Sequence, residues 1–350
     1  MAELSRDFAV LTSEISEEHS SEQHNTEAHG DGMMHDAHVP TAAEEQDVFG
    51  TLLNQNMGDH HYLSFLGLGK LELPIILIDD GFHFYWNKEQ MENDGLFTYS
   101  HHHYVRAEDH EPPALDLSIT SLVVFQWLTI ILLVFAFRKA TTHYKKNPNK
   151  APKGFTNLIE TLFVYIREEI VRPNVGGEHV ASRLLPYFIS LFTFILLSNL
   201  FGLVPGGHSP TGNIAVTGAL ALIAFVVINV TAMKESGVKA WFTHLLGGAP
   251  WWLSFIMVPI EILSLFTKPF ALMVRLFANM TGGHVILLSL IGLIFFFESI
   301  LVSPVTVLFS LFIYFLELLV AFIQAYVFTM LTAVFVGLAI GDHAHEEHAH

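Results

Sequence analysis

Long apolar runs dominate the chain from residue 117 onward. Three of them have the length of one membrane crossing, and a fourth is about four times as long: Leu117–Phe137, Leu184–Val204, Ile214–Met233 and Pro259–Gly341. About 20 helical residues cross a bilayer core of ~30 Å, so each of the first three fits a single span. The fourth is interrupted by Glu298-Ser299 and Ser303-Pro304, so it predicts two helices. The pattern therefore predicts an all-α polytopic membrane protein with five transmembrane helices, the last two forming a long, tilted C-terminal hairpin.

One further segment has helical spacing but too many charges for a buried span. Phe155–Val171 interleaves Glu160, Arg167, Glu168 and Glu169 with apolar residues. An amphipathic helix lying in the membrane interface suits this pattern better than a crossing. The alternative is a short soluble helix, which the flanking spans make less favourable.

The chain before the first span differs in character from the rest. Residues 1–46 are polar and acidic with scattered His, so we expect them to be disordered. Residues 47–116 are expected to form a small extramembrane module, in which two β-prone runs flank Asp80-Gly81 and predict a hairpin. The alternative is a loose aromatic flap on the lipid headgroups. A His-rich tail, residues 342–350, follows the membrane domain, residues 117–341.

Composition agrees with a membrane protein. Charged residues make up 15% of the chain, compared with roughly 25% in soluble domains. The absence of cysteine excludes disulfides and thiolate chemistry. The net charge of −17 is concentrated in residues 1–116, which hold 23 of the 34 acidic residues. The 12 His residues of this region show no regular ligand spacing, so we interpret them as solvated polar sequence rather than as a metal site.

Basic residues predict the orientation. Arg138-Lys139 and Lys145-Lys146 follow the first span, and Lys234 and Lys239 follow the third, whereas the loop after the second span has no Lys or Arg. Positive charge marks the cytoplasmic side. We therefore expect the N-terminus outside and the C-terminus in the cytoplasm, although no basic-then-apolar signal sequence opens the chain.

Arg275 is the residue least suited to its position. It lies deep inside the first helix of the hairpin, where a permanently charged guanidinium costs at least a few kcal/mol on an isolated helix. A functional site is therefore the default interpretation. The alternative is an arginine that snorkels or ties the bundle together, but Arg275 is many residues from either apolar boundary.

The hairpin pairs the polar residues by depth. With a turn near Ile300, residues at equal depth have numbers that sum to about 600, which places Arg275 level with Gln324 and His284 level with Glu317. The two levels are ~13 Å apart along the axis. His284 points away from the face that Arg275 shares with Asn279. A titratable pair beside a fixed cation suits proton delivery; alternatively, His284 and Glu317 only satisfy each other.

Two segments carry a resemblance to a known family. The run KPFALMVRLFANMTGGH, from Lys268 to His284, closely resembles the signature of subunit a of the F-type ATP synthase. The second helix is similar too, with Glu317, Gln324 and the following Ala325–Phe328 in matching order. Some members carry Glu and His in the reverse assignment at the positions of His284 and Glu317. The resemblance covers residues 117–341 and includes Asn199, Gly202 and Pro205, with Pro210, Thr211 and Asn213 beyond them.

The resemblance implies a proton-channel stator with two offset half-channels and an essential Arg275 facing a rotating ring. It assigns proton translocation to this chain's polar hairpin residues, Arg275, His284, Glu317, Gln324 and Asn279. Supporting polar roles are expected for Asn199, Glu261 and Lys268. The transported ion is H⁺, with Na⁺ as the alternative, and no cofactor or bound metal is expected.

The resemblance also implies partners. These are the ring of c subunits, the b-subunit peripheral stalk, other ATP synthase subunits and the lipid of a bacterial inner membrane, with no nucleic acid. The sequence has no phosphate-cradling Gly-Lys loop, so ATP chemistry is expected on other subunits. A secondary ion-coupled transporter with a midplane charged site is the alternative, but its inverted repeats are not visible in the sequence.

Overall fold

A computed structural model describes nine parts of the chain. They are residues 61–64, 70–79, 81–100, 103–146, 152–204, 207–239, 241, 253–297 and 303–344. Residues 1–46, which are expected to be disordered, and most of the C-terminal tail lie outside these described residues. So do His60, the His101-His102 pair and the residues of the hairpin turn around Ile300.

Five helices of the described chain are long and apolar enough to cross a membrane, which confirms the predicted number of spans. Their bounds are α2 Ser121–Lys146, α5 Glu178–Leu203, α6 Ile214–Ser236, α7 Ser254–Phe297 and α8 Ser303–Ala344. Most of their ends lie within a few residues of the predicted boundaries, but α2 continues from Phe137 to Lys146 and α5 begins at Glu178 instead of Leu184, because helices continue into polar sequence beyond their apolar core.

The start of the first span is the clearest correction. Leu117 was expected to open the helix, but its backbone N–H donates to Ile76 O at 2.9 Å, and Ile119 N–H donates to Pro74 O at 3.1 Å. Hydrophobicity alone does not distinguish a strand residue from a helix residue here. The chain therefore stays extended through Leu117 and turns helical only at Ser121.

Helix α5 lies at the centre of the membrane domain and packs against α2 and α8. Its fully buried Phe188 and Ile195 share a core with Leu276 of α7 and Val336 of α8. Helices α7 and α8 pack along each other and both contact α6. The hairpin is thus held on one side by α5 and α6, and its other side faces outward.

The predicted amphipathic segment is helical but interrupted. An α-helix, α3, covers Phe155–Tyr165, a π-helical turn covers Ile166–Val171, and α4 covers Arg172–Val175. Ile166 and Ile170 of this segment are completely buried in the core, whereas Leu158 and Val164 are exposed. The charged residues pair on the surface, where Arg172 binds Glu168 at 2.7 Å and Glu178 at 2.8 Å.

The module before the first span is a small α+β unit. Its elements are β1 Tyr62–Ser64, β2 Lys70–Glu72, β3 Ile75–Ile78, β4 Phe82–Tyr85, α1 Lys88–Asp94, β5 Phe97–Ser100, β6 His103–Arg106 and β7 Leu115–Asp116. Strands β3 and β4 form the hairpin predicted around Asp80-Gly81, and β7 adds to the other edge of β3. One face of this sheet buries Ile75 and Leu77 with Met91 of α1.

Two polar pairs fix the module. Arg106 holds both carboxylate oxygens of Asp79 at 2.5 and 2.8 Å, and this hydrogen-bonded guanidinium lowers the pKa of Asp79. Burial, together with the hydrogen bond that Tyr85 donates to Asp94 at 2.6 Å, raises the pKa of Tyr85 to about 12. These pairs link the β3–β4 hairpin to β6 and α1.

Candidate functional site

Helix α7 presents two different sides around Arg275. Leu272 and Leu276 are almost completely buried against the neighbouring helices. Val274, Arg275 and Ala278 lie on the outward side and are exposed. This division follows the helical period, because residues one turn apart share a side while their neighbours point elsewhere.

Arg275 has no hydrogen-bond or ion-pair partner among the described residues. Gln324, its predicted neighbour in depth, is instead buried on the inner side of α8, 9% exposed. The guanidinium is therefore exposed at the surface of the chain, whereas the amide is buried.

A small cavity lies behind the arginine, between α5, α7 and α8. Its volume is about 20 Å³, enough for one water molecule. The lining residues are Asn199, Leu203, Leu276, Asn279, Met280, Glu317, Val320, Ala321 and Gln324. Four of the residues predicted to matter thus surround one space, and Asn279 reaches it from the side of the helix that also carries Arg275.

Glu317 lies against the backbone of α7 at Gly283. A Cβ built on Gly283 would overlap Glu317, with the carboxyl carbon at 2.9 Å and Cγ at 3.0 Å. A larger residue at 283 would therefore displace the carboxylate from this position. Neither carboxylate oxygen has a hydrogen-bond partner among the described residues, although both are buried. The contact between residues 283 and 317 also agrees with a hairpin register that sums to about 600.

His284 points to α5 at Gly202. Its Nε2 is 3.2 Å from the position that a Cβ on Gly202 would occupy. No hydrogen bond joins the imidazole to Glu317 in the described chain. His284 and Glu317 therefore lie at one depth without a hydrogen bond between them. The alternative in which the two residues simply satisfy each other finds no support in this geometry.

Asn199 anchors a polar network on the other side of the cavity. Its Nδ2 donates to Ala321 O at 3.3 Å, and its Oδ1 accepts from Thr211 Oγ1 at 2.5 Å. Ser209 continues the chain of hydrogen bonds, 2.7 Å from Thr211 and 3.1 Å from Ser198 O. The sequence pattern did not assign a role to Ser209. In the sequence, Ser209 is only a hydroxyl residue in a loop, flanked by glycine, histidine and proline.

Two of the expected supporting residues lie elsewhere. Lys268 does not line the cavity, and its Nζ lies 5.6 Å from the centre of the Phe335 ring. Glu261 is half-buried near the start of α7, about two turns before Lys268. The structure thus groups Asn199 with the cavity and leaves Glu261 and Lys268 outside it.

Comparison with known proteins supplies the family. A family model described as ATP synthase A chain matches residues 123–337, more than half of the chain. ATP synthase subunit a of Chloroherpeton thalassium is 46% identical over 243 residues, which cover 69% of this chain and 72% of that protein. ATP synthase subunit a 2 of Chlorobium luteolum is 37% identical over 350 residues, covering 97% of this chain and 92% of the relative.

A third relative, ATP synthase subunit a of Myxococcus xanthus, is 44% identical over 241 residues and covers 67% of this chain. The long alignment with the Chlorobium luteolum protein also includes the N-terminal region. Five membrane-crossing helices accompany these similarities. The chain therefore belongs to the F-type ATP synthase subunit a family, as a multi-pass membrane protein of the membrane sector that works with other ATP synthase subunits.

Proposed function

We propose that this chain is the proton-channel stator of its ATP synthase, with Arg275 facing a rotating ring of c subunits and two offset half-channels on either side of it. The exposed, unpartnered guanidinium carries this proposal. A charge in the middle of a spanning helix needs a counter-charge or water. Because the described chain supplies neither an anion nor a hydrogen bond to Arg275, the partner is expected on another subunit.

The surroundings of Arg275 suit a closely packed helix. Ala271 and Ala278, one turn to either side, are small and exposed. Small side chains allow two membrane helices to approach closely. An acidic side chain on the ring could then reach Arg275 in its ionised form, and the arginine would keep the two half-channels from joining.

Crosslinking tests the ring contact. A cysteine at Ala278 in this cysteine-free chain should form a disulfide with a cysteine placed beside the ring carboxylate in the assembled complex. Ile131 on α2 is 60% exposed and is the matched control, because it lies on another lipid-facing surface. Equal crosslinking at both positions, or none at Ala278, would reject Arg275 as the residue that faces the ring.

The cavity behind Arg275 supports one of the half-channels. Asn199, Asn279 and Gln324 supply hydrogen-bonding groups around room for one water, and Glu317 opens onto the same space. Such a site can hold a proton or pass it to water. We propose that Glu317 loads and unloads protons there, that His284 takes part from its position beside Gly202, and that H⁺ is the coupling ion.

The placement of the remaining partners is also part of the proposal. Lys145 and Lys146 end the first span, and Lys234 lies near the end of the third. Basic residues of this kind favour the cytoplasmic side. The N-terminal region would then lie outside a bacterial inner membrane, and the b-subunit stalk would join the complex from the cytoplasm.

A methyl group at Gly283 is expected to impair the channel. In Gly283→Ala the added Cβ overlaps the Glu317 carboxylate, which is the flexible end of a side chain and can move aside. The protein should therefore assemble, while proton-driven ATP synthesis falls by about tenfold or more, as for a displaced proton-transfer group.

Gly212→Ala provides the control for this change. A Cβ at Gly212 would meet only Ser209 Cβ, at 4.0 Å, an ordinary contact. ATP synthesis driven by an imposed pH gradient in vesicles measures both variants against matched amounts of assembled complex. Equal rates for the two variants would show that Glu317, at its observed position, is not part of the proton path.

A further inference from the structure

The three-stranded sheet of the extramembrane module has two apolar faces, and only one is covered. Cross-strand partners point to the same side of a sheet. The pairs Ile76–Phe84, Ile78–Phe82 and Ile78–Leu115 therefore share the face opposite the buried Ile75 and Leu77. We call this second surface the outer sheet face; it consists of Ile76, Ile78, Phe82, Phe84, Trp86, Leu115 and Leu117.

The outer sheet face is strongly exposed. Phe82 and Trp86 are each 69% exposed, and Leu117 is 52% exposed. Phe84 and Trp86 make an edge-to-face contact at 5.2 Å, which places both rings on this side. A continuous apolar surface of this kind on a folded unit marks an interaction site. Scattered surface leucines would need no such explanation.

A short connection to the first spanning helix keeps the outer sheet face close to the membrane. Leu117 belongs to it, and the first spanning helix begins at Ser121. Four residues reach at most ~14 Å when fully extended. Ile119 N–H donates to Pro74 O, so even this short connection is held to the sheet. One edge of the sheet must therefore lie near the headgroup layer, which is itself several Å thick.

The chemistry of the outer sheet face suits lipid. None of its seven residues is charged, and three are aromatic, including a tryptophan. Trp is enriched where membrane proteins meet the headgroups, because its ring is apolar and its N–H can bond to water. The rest of residues 61–116 is rich in Asp and Glu, so attraction to anionic lipid would not hold it there.

We propose that the outer sheet face rests in the headgroup region of the bilayer, with Phe82, Phe84 and Trp86 inserted beside the first span. The contact is hydrophobic and needs no anionic lipid. The module then lies on the membrane surface through its outer sheet face, and the acidic side that carries α1 faces the water.

Depth-dependent quenching tests the proposal on the full chain. Phe82→Cys carries a polarity-sensitive fluorophore in vesicles of zwitterionic lipid, and Glu89→Cys on exposed α1 carries the same label as the matched control. A nitroxide on shallow lipid positions should quench the label at 82 several-fold more than the label at 89. Aqueous iodide should show the reverse order. Both results should persist in high salt.

Two results would overturn the proposal. Iodide quenching at 82 equal to that at 89, without lipid quenching, would place the outer sheet face in water. Shielding from both quenchers would show that protein covers it, either another subunit or residues 47–60 of this chain. Leu117→Cys, on another strand of the same surface, repeats the measurement in case the label at 82 disturbs β4.

Discussion

Replacing Arg275 with lysine is expected to abolish ion-driven ATP synthesis while the subunit still assembles. Arg275 is exposed on the outward side of α7 and makes no contact with a described group that lysine would disrupt. Lysine keeps a charge but lacks the planar fork that holds a carboxylate with two hydrogen bonds. Losing one hydrogen bond to a charged group costs about 1.5–3 kcal/mol, so coupled synthesis should fall by up to roughly a hundredfold.

The comparison variant for this experiment is Gln324→Leu. Gln324 is buried beside the cavity and carries no charge, so its loss should lower the rate of synthesis but leave it coupled. Both variants are measured in vesicles energised by the same gradient, with assembly quantified by the recovered complex. Near-normal coupled synthesis in Arg275→Lys would contradict the proposed role.

The exchange of His284 and Glu317 is expected to preserve function better than either single change. In His284→Glu two carboxyl groups lie at one level of the hairpin, and in Glu317→His two imidazoles do. Like groups shift each other's protonation. Each single variant should therefore lose on the order of a hundredfold in proton-driven synthesis, at the low end for a positioned proton-transfer group.

The double variant should recover several-fold over both single variants, because the acid and the base are again present at the same depth. The structure sharpens this expectation: Glu317 packs on Gly283, the residue beside His284, and a relay between the two groups must include water. The measurement is proton flux at equal protein content. Equal losses in all three variants would mean that the two residues act separately.

The hairpin register is the part of the site that sequence reasoning predicted best. It needed only the helix rise and the position of the turn, and both are regular properties of the backbone. The contacts of Gly283 with Glu317 and of Asn279 with the cavity follow from it. Which side chains touch could not be predicted, because this depends on how α5 packs. The turn of His284 toward Gly202 and the Asn199–Thr211 hydrogen bond both involve that helix.

The fold shows the same limit at the first span. Leu117 is apolar and adjoins an apolar run, so the sequence pattern assigns it to the helix, whereas strand pairing with Ile76 decides its conformation. Pairing with a strand about 40 residues earlier leaves no local periodic signal. The hydrophobic period of the sequence likewise gives no sign of the π-helical turn at Ile166–Val171, in which Ile166, Ile170 and Val171 are completely buried.

The lengths of α7 and α8 have a consequence for the direction of proton movement. Their apolar stretches are 36 and 37 residues long, about 54 Å of helix for a core of ~30 Å. If the whole stretch lies within the core, each helix inclines by about 55° from the membrane normal. The ~13 Å between the levels of Arg275 and His284 then becomes about 7 Å of depth and about 11 Å of sideways displacement. Arg275 and His284 are thus separated mainly within the plane of the membrane. On the proposed proton path, a carrier that receives a proton at the level of His284 would have to move sideways to pass Arg275.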